Sequence, residues 1–303
     1  MAALPFAIGR DQTLFRQGMA SDALYLITSG ELSISTRIPG DMAAAVQNIG
    51  PGSIVGELAM LDDGPRSADV KAARDTKGWL IPKSQFLAMV AAGKPWALAL
   101  IDSLRGLVAE RTRSTLLRII ETKGYELPAL REPGFYYPSS LEPNAGPLFA
   151  ALGRLADFGH EGSTQLAAMG DCIHIPRGAR LSEAETSPNM LTIVLRGALR
   201  AVLPRCEGNE QVMVHGPGEI AGLIGLFANC SHPLGLEAAE SSVALQLSPA
   251  VFDNMRQSPD PLAISLFVAI GRQLVRDQRR VNRHLGRAIS MVQFNTEPPR
   301  NAF

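Results

Sequence analysis

Short apolar runs separated by turn residues follow one another in both halves of the chain. Leu24–Ile27 precedes the pair Ser29-Gly30, and in the next run, Glu31–Ser35, apolar residues alternate with serines. Such alternation is typical of a strand that buries one face. It predicts two strands around a turn at Ser29-Gly30, and Ile38–Asp41 predicts a further hairpin tip. Many short strands with Gly and Pro turns predict an antiparallel roll or barrel.

Segments with a helical period follow the strand-like runs. Residues 84–90 predict a helix with Ser84 as its N-cap, and residues 148–155 predict another short helix. Residues 95–120 predict a long helix, because Pro suits a first turn and apolar residues recur at steps of three and four. That stripe consists of Leu98, Ile101, Leu104 and Val108. A last helix is predicted over residues 261–291.

The second half of the chain repeats the first. Ile175–Leu181 matches Ile8–Leu14, and Leu191–Leu199 matches Leu24–Leu32, with the same offset for both pairs. The stretch Gly52–Ala72 recurs without a gap as Gly218–Ala238, at an offset that is shorter by a single position. Matches that keep almost one offset indicate that the same structural unit occurs twice.

This repeat predicts two domains of one fold. Residues 1–121 are the expected first roll with its long helix, and residues 122–146 are a Pro-rich linker. Residues 147–291 are the expected second roll with its own long helix, and residues 292–303 are expected to be a disordered tail. The predicted class is mainly β with helices (α+β), with two antiparallel β-rolls of the jelly-roll type.

The stretch Gly52–Ala72 carries the candidate chemistry. Gly56 lets the backbone approach a ligand, because no side chain blocks it. Residues 57–61 predict a helical turn whose first N–H groups lack internal partners and would attract a phosphate. Arg66 can hold two phosphate oxygens with its planar guanidinium. Since the carboxylate of Glu57 would repel a phosphate, a sugar hydroxyl is its expected donor.

In these residues the stretch resembles the phosphate-binding cassette of cyclic nucleotide-binding domains: Gly56-Glu57-Leu58-Ala59, Pro65-Arg66-Ser67-Ala68, Val70 and Ala72. That family includes the bacterial catabolite activator and the regulatory subunits of the cAMP-dependent kinase. The resemblance implies that Glu57 binds the ribose 2′-hydroxyl, and that Arg66 and backbone amides bind the cyclic phosphate. It also implies that the long helix closes over the base. The predicted ligand-binding residues are Gly56, Glu57, Leu58, Ala59, Arg66, Ser67 and Thr112.

The choice of base rests on Thr112. By resemblance to the catabolite activator, this residue falls where a threonine contacts the adenine amino group, which implies cAMP rather than cGMP. A threonine hydroxyl can also serve a guanine, so cGMP stays open. Thr112 could instead be an ordinary residue on a solvent-facing side of the helix. An aromatic residue could cap the base or anchor the linker on a domain surface: Tyr125, Phe135, Tyr136 or Tyr137.

The second copy of the cassette lacks the side chains that would bind a ligand. Leu223 stands at the position of Glu57, and His232 stands at the position of Arg66. Leucine cannot accept a hydrogen bond from a hydroxyl, and a neutral histidine carries little charge. We therefore expect no cyclic nucleotide in the second roll, although a titrating His232 could form a pH-dependent anion site. Glu57 and Arg66 could likewise be a structural ion pair without ligand.

Composition and charge restrict the other functions. The chain has 303 residues, 46% of them apolar, and equal numbers of basic and acidic residues, so no net field favours nucleic acid or a membrane surface. Its three cysteines have no metal-ligand spacing and are expected to be reduced thiols. No secretory signal and no bilayer-spanning run is visible, so we expect a soluble cytoplasmic protein. We expect no enzyme, no catalytic residue, no metal and no cofactor.

The resulting hypothesis is a cyclic nucleotide receptor in signal transduction that acts through protein–protein contacts. Its expected partners are an unidentified effector protein and a second copy of the chain bound through the long helices. No helix-turn-helix is expected after either long helix. Two alternatives stay open: a scaffold that does not respond to ligand, and a DNA-associated regulator. The second would use six arginines of the last helix: Arg272, Arg276, Arg279, Arg280, Arg283 and Arg287.

Overall fold

Two compact units make up the protein in this computed structural model. The structure describes residues 3–37, 43–125, 139–140, 145–184, 190–205, 208–228, 231, 233–256 and 258–296. One unit is Met1–Val108 and the other is Ala109–Phe303. The predicted hairpin tip at residues 38–41 lies in the gap between described residues.

The first unit is an antiparallel roll that is followed by helices. Its elements in chain order are β1 (Leu4–Ile8), β2 (Thr13–Phe15), β3 (Ala23–Arg37), β4 (Ala43–Ile49), β5 (Ile54–Val55), α1 (Leu58–Leu61), β6 (Asp69–Pro82), α2 (Lys83–Ala91) and α3 (Pro95–Lys123). The strand order is β1-β6-β3-β4, while β2 pairs with β6 and β5 pairs with β3. This confirms the predicted antiparallel roll.

The long strand β3 replaces the two strands that the sequence predicted around Ser29-Gly30. β3 pairs with β6 from Ala23 to Ser35, on both sides of the glycine. The pairing register shifts between Ile27 and Leu32, as at a β-bulge, so the strand continues through Ser29-Gly30. The alternation still sets the buried face, whose core residues include Phe15, Ile27, Leu32, Val55, Val70 and Ala72.

The helix α2 begins before the residue predicted as its N-cap. The cap position is Pro82, which makes no side-chain cap hydrogen bond, and Ser84 lies inside the helix. The N–H group of Lys83 donates to the carbonyl of Asp22 at 2.8 Å, which satisfies one of the free donors of the first turn. The backbone carbonyl of Asp22 therefore caps the first turn of α2, the role that the sequence predicted for the side chain of Ser84.

The second unit repeats this plan with its strands divided between two sheets. Its further elements are β7 (Ser139–Ser140), α4 (Ala145–Leu155), α5 (Gly159–Ala168), β8 (Asp171–Ile175), β9 (Arg180–Ser182), β10 (Leu191–Arg196), β11 (Leu199–Arg205), β12 (Gly208–His215), β13 (Ile220–Ala221), α6 (Leu223–Ala228), β14 (Gly235–Ala238), β15 (Ser242–Leu247), α7 (Pro249–Arg256) and α8 (Pro261–Thr296). The sheet orders are β13-β10-β15-β8-β7 and β12-β11-β14-β9.

A buried hydroxyl at equivalent positions shows that the repeat is structural. The hydroxyl of Thr76 accepts from the N–H of Glu31 at 3.0 Å and contacts the carbonyl of the same residue at 3.1 Å. Ser242, at the matching position of the second copy, makes the same pair of contacts with Ala198 at 3.1 and 3.2 Å. Both hydroxyls tie two strands together, so the sequence offset corresponds to one backbone geometry.

The two compact units divide α3 between Val108 and Ala109. The sequence assigned the whole helix to a first domain that ends at residue 121. The C-terminal half of the helix, from Ala109, belongs to the second unit instead. Its residues Leu116, Ile119 and Ile120 are buried in a core cluster of that unit. The helix ends at Lys123, three residues beyond the predicted end at residue 120, and Gly124 follows in the left-handed region at φ +61°.

The last helix is longer than the sequence predicted. α8 extends to Thr296, so residues 292–296, which were assigned to a disordered tail, are helical. The chain contains no helix breaker between the predicted end at residue 291 and Pro298, which explains the extension. Residues 297–303 lie outside the described part.

Candidate functional site

The backbone at Gly56 creates the floor of the candidate site. Gly56 has φ +83°, a conformation that a glycine adopts without steric cost. A Cβ at this position would overlap Nη1 of Arg66 and would lie 2.9 Å from the carbonyl oxygen of Ala23. The glycine therefore lets the guanidinium lie directly against the backbone that precedes α1.

The guanidinium of Arg66 is buried and held in place. Only 2% of its side chain is exposed, and Nη2 donates to Oδ1 of Asp22 at 2.8 Å and to the carbonyl of Ala23 at 2.9 Å. Its central carbon lies 4.1 Å from the ring centre of Phe15 and 5.7 Å from that of Tyr25. Stacking on aromatic rings favours a planar cation and fixes its plane.

The main chain of Arg66 is fixed by the loop after β2. Its N–H donates to the carbonyl of Met19 at 2.8 Å, and its carbonyl accepts from the N–H of Gly18 at 2.9 Å. In the same loop the N–H of Gln17 donates to the carboxylate of Asp69 at 2.7 Å. These bonds connect two segments that are distant in sequence, so the arginine is preorganised by backbone contacts on both sides.

The guanidinium of Arg66 is only partly hydrogen-bonded by the residues that the structure describes. Nε and Nη1 are buried and have no hydrogen-bond partner within the part of the chain that the structure describes. A buried donor without a partner typically costs about 1–3 kcal/mol. An anion with two oxygens at this point would remove that cost, so the arrangement suits the phosphate that the sequence predicted for Arg66.

The one-turn helix α1 begins directly after Glu57, nine residues before Arg66 in the chain. Glu57 is its N-cap residue and is 4% exposed, while Leu58 and Ala59 are buried and Ser67 is half-buried. The expectation that the first N–H groups lack internal partners is wrong for two of them. Ala59 donates to the carbonyl of Gly56 at 3.1 Å, and Met60 donates to that of Glu57 at 3.0 Å, as in a tight first turn.

Asp22 is the site residue that the sequence analysis missed. It lies far before Arg66 in the chain and 78% of its side chain is exposed, so no local pattern singles it out. Burial raises the pKa of the Tyr25 phenol, the Asp22 carboxylate raises it further, and the Arg66 cation opposes both. The site thus already contains one carboxylate that competes for the arginine.

The remaining predicted residues lie in the second unit or outside the described part. Thr112 is fully buried on the half of α3 that counts with the second unit. The hydroxyl of Tyr125 donates to Glu210, and its ring centre lies 4.9 Å from the guanidinium of Arg205. Anchoring, one of the two roles considered for the aromatic residues, is therefore the role of Tyr125. Phe135, Tyr136 and Tyr137 lie outside the described residues.

The second cassette keeps the backbone of the first. Gly222 has φ +82°, almost the value of Gly56, and Leu223 is buried at the position of Glu57. His232 lies outside the described residues. The cavity beside this cassette has a volume of about 20 Å³, which is room for about one water molecule.

A charged cluster lies next to this small cavity. Arg276 and Arg280 donate to Oε1 of Glu219 at 2.8 and 2.7 Å. Asp277, which lines the cavity, accepts from Arg280 at 3.3 Å and has Nδ1 of His215 at 3.9 Å. Burial raises the pKa of Asp277 to about 7, although hydrogen bonding and the nearby arginines oppose this shift.

Other classes of site find little support in the described residues. Within them, no group of three or more His, Cys, Asp or Glu side chains could hold a metal ion. Cys172 is buried, which raises its thiol pKa, whereas Cys206 and Cys230 are not described. No described helix could cross a membrane by itself, and α2 and α3 reach the required length and hydropathy only together, with a bend of 114°.

Comparisons with known proteins agree with this geometry. The sequence model of the cyclic nucleotide-binding domain matches residues 6–92 and again residues 172–258, together more than half of the chain. The two matches contain the two cassettes and give the repeat its boundaries. The predicted resemblance is thereby confirmed.

The alignments with individual relatives include only part of this chain and only part of each relative. The lysophospholipase nte1 of Aspergillus fumigatus is 34% identical over 119 residues, which are 39% of this chain and 8% of that protein. The cyclic AMP receptor protein of Thermus thermophilus is 30% identical over 137 residues, which are 45% of this chain and 60% of that protein. The chain thus spans less than two thirds of either relative.

One solved structure aligns with both halves. It is the regulatory domain of Toxoplasma gondii PKA with cAMP, which is 19% identical and aligns over 84% of this chain and 80% of its own. Its TM-score is 0.29.

Proposed function

Because this chain belongs to the cyclic nucleotide-binding domain family, we propose that it is a receptor that binds one cyclic nucleotide in its first domain. The observation that carries the proposal is the buried guanidinium of Arg66, with two donors that no described residue uses. Charge-assisted hydrogen bonds are worth about 1.5–3 kcal/mol each, so two of them supply much of the affinity of a small ligand.

In this proposal the residues of the first cassette have separate roles. Arg66 binds the cyclic phosphate, and Glu57 accepts a hydrogen bond from the ribose hydroxyl. Gly56 keeps the space between backbone and guanidinium open, while Leu58, Ala59 and Ser67 line the ligand. Thr112 is fully buried on the half of α3 that belongs to the second unit, so the proposed preference for cAMP over cGMP rests on the resemblance to the catabolite activator alone.

We further propose that the protein is not an enzyme and acts through an effector protein. Both family matches are to a regulatory binding domain, and the similarity to the lysophospholipase nte1 covers 8% of that enzyme. A homodimer through the long helices is the second arrangement that would give an output. In either arrangement the ligand would change the equilibrium between two conformations of the protein. It can shift that equilibrium only by the difference between its affinities for the two conformations.

The structure argues against the DNA-associated alternative. Two of the six arginines that it would use, Arg276 and Arg280, are engaged by Glu219 at 2.8 and 2.7 Å. Burial would raise the pKa of Glu219, but hydrogen bonds from these arginines bring it below its usual value. Cations in such pairs are less available to phosphates of a nucleic acid.

The direct test is a calorimetric titration of the full chain with cAMP, cGMP and 5′-AMP. We expect saturable binding of one equivalent of cAMP, weaker binding of cGMP and no binding of 5′-AMP, whose open phosphate has a different shape and charge. The absence of heat with both cyclic nucleotides up to millimolar concentration would favour the scaffold alternative. Two equivalents of cAMP would show that the second domain binds as well.

A further inference from the structure

The apolar face beside the second cassette is covered by a helix of the same chain. This face, here called the second groove, is lined by buried residues of β11, β12, α6 and the cassette: Ala201, Leu203, Met213, Ile224 and Leu234. Leu116, Ile119 and Ile120 of α3 belong to the same core cluster, and all three are at most 8% exposed. All of these residues lie within the second unit.

The internal repeat shows what the second groove corresponds to in the first domain. Ile224 stands at the position of Leu58, and Leu234 stands at the position of Ala68, both in the register that aligns Gly222 with Gly56. Leu58 is a predicted ligand contact, and Ala68 follows another, Ser67. The helix therefore packs on the positions at which the first cassette would meet its nucleotide.

A polar contact ties this helix to the second cassette itself. Nε of Arg113 donates to the carbonyl of Ser231 at 3.2 Å. Ser231 is the residue directly before His232, which has the position of Arg66. A side chain of α3 thus reaches the part of the second cassette that would bind the phosphate in a working copy.

A second set of contacts holds the end of α3. The carboxylate of Glu210 on β12 accepts from Lys123 and Tyr125, and it contacts Nε2 of His284 on α8 at 2.7 Å. Burial would raise the pKa of Glu210, but these hydrogen bonds lower it to about 2. One carboxylate therefore connects α3 and its C-terminal extension to a strand of the second roll and to its closing helix.

We infer that the second roll recognises the C-terminal half of α3, residues 109–123, in place of a nucleotide. The apolar side chains of this half of α3 belong to the core cluster that contains the cassette positions, together with Val281 of α8, and the cavity of about 20 Å³ beside the cassette is bordered by Asp277 of α8. The second roll is then a binding module for a helix of its own chain. Because α3 is one continuous helix from Pro95, the helix that the second roll binds also follows the first roll in the chain.

This inference goes beyond the proposed function and does not depend on it. A helix can occupy the second groove whether or not the first cassette binds a ligand. The inference predicts that a free nucleotide cannot enter the second groove unless α3 leaves it. It also predicts that the groove accepts the α3 sequence offered as a separate peptide once the internal copy is weakened.

The test uses hydrogen exchange of the full chain with the variant Ile119→Ala. We expect exchange at the amides of α6, β11 and β12 to become at least about tenfold faster, because the groove loses a buried side chain of its occupant. Strands β3 and β6 of the first unit should not change. The matched control is Leu98→Ala on the same helix, which lies in the first unit and should leave α6 unaffected.

A synthetic peptide of residues 109–125 separates recognition from general loosening of a core. Added to the Ile119→Ala chain, this peptide should restore slow exchange at α6, whereas a peptide that carries Ile119→Ala itself should not. Equal effects of the two peptides, or no effect of either, would overturn the inference.

The last arm separates this inference from the proposed function. In an Arg66→Ala chain, saturating cAMP or cGMP should leave the exchange of α6 unchanged, and protection at α6 would refute a groove occupied by α3. Failure of the proposed function would look different, because the unmodified chain would then show no protection at α1 with either nucleotide.

Discussion

The two cassettes have the same backbone conformation at their glycines but different side chains: the first contains a buried arginine, and the second is apolar. Gly56 and Gly222 have φ values of +83° and +82° before a short helix, and buried Thr76 and Ser242 hold the strands around them in the same way. The first cassette then presents a buried cation with two donors that no described residue uses. The second presents leucine and is covered by an apolar helix face.

The second copy keeps the backbone of the roll although the residues proposed to bind a ligand are replaced. Turn glycines and the strand-linking hydroxyl set the backbone, and they are retained in both copies. The side chains that we propose as ligand contacts, Glu57 and Arg66, are both changed in the second copy. A binding site can therefore be exchanged for a packing surface without loss of the fold.

The largest effect is expected from removal of the cation that distinguishes the first cassette. Arg66→Ala should weaken cyclic nucleotide binding by about 100-fold or more, because two charge-assisted hydrogen bonds of about 1.5–3 kcal/mol each are lost. The measurement is calorimetric titration of the full chain. Arg74→Ala is the matched control, since Arg74 lies in the same unit with 77% of its side chain exposed. Equal weakening by both substitutions would contradict the assigned role.

The second domain should differ from the first in the pH dependence of its stability, because the buried carboxyl of Asp277 holds a proton beside the small cavity. Burial raises the pKa of Asp277 to about 7, so between about pH 4 and 7 the folded state retains a proton that the unfolded state has released. Stability is therefore lost as the pH rises through this window, by up to about 4 kcal/mol. The groups around this carboxyl are Gln273, His215, Glu219, Arg276 and Arg280.

Scanning calorimetry of Asp277→Asn between pH 4.5 and 8 tests this prediction. The substitution should remove most of the loss of stability on going to higher pH, since the amide does not titrate. Asp253→Asn, at an exposed position of α7, serves as the control and should keep the original pH profile. An unchanged profile in Asp277→Asn would show that this carboxyl is ionised throughout.

A smaller effect is expected from a methyl group at the floor of the first cassette. Gly56→Ala should weaken nucleotide binding by about tenfold, because the Cβ displaces Nη1 of Arg66 and Ala is strained at positive φ by about 1–2 kcal/mol. Gly52→Ala has nearly the same φ, +84°, but its Cβ would meet nothing within 4 Å. The difference in affinity between the two variants therefore reports the contacts that the Cβ makes at Gly56, with Nη1 of Arg66 and the carbonyl oxygen of Ala23.

The smallest effect is expected at the carboxylate that competes for Arg66. Asp22→Asn should strengthen cyclic nucleotide binding by less than about fivefold, because the carboxylate of this ion pair is 78% exposed and such pairs are worth roughly 0–1 kcal/mol. Binding should be measured at low and high salt, and the gain should shrink as salt screens the charge. A large loss of affinity would mean instead that Asp22 positions the guanidinium for the ligand.

Much of the site could be predicted because its residues are close together in the sequence. Gly56, Glu57 and Arg66 lie within one stretch, and their spacing carries the resemblance that the family comparison confirms. Asp22 and Phe15 could not be found in this way. They reach the guanidinium from segments that are joined to it only by sheet pairing and by loop hydrogen bonds.

The sequence by itself determined the alternation of strands and helices in outline, the internal repeat and the loss of the charged pair in the second copy, whereas β3 and the end of α8 differ from the prediction. These are local features, set by periodicity, turn residues and residue identity. The tertiary structure alone decided the partners of Arg66 and the occupant of the second groove. Burial and packing depend on which distant segments meet, and Leu116, Ile119 and Ile120 read as an ordinary apolar helix face until the groove they fill is known.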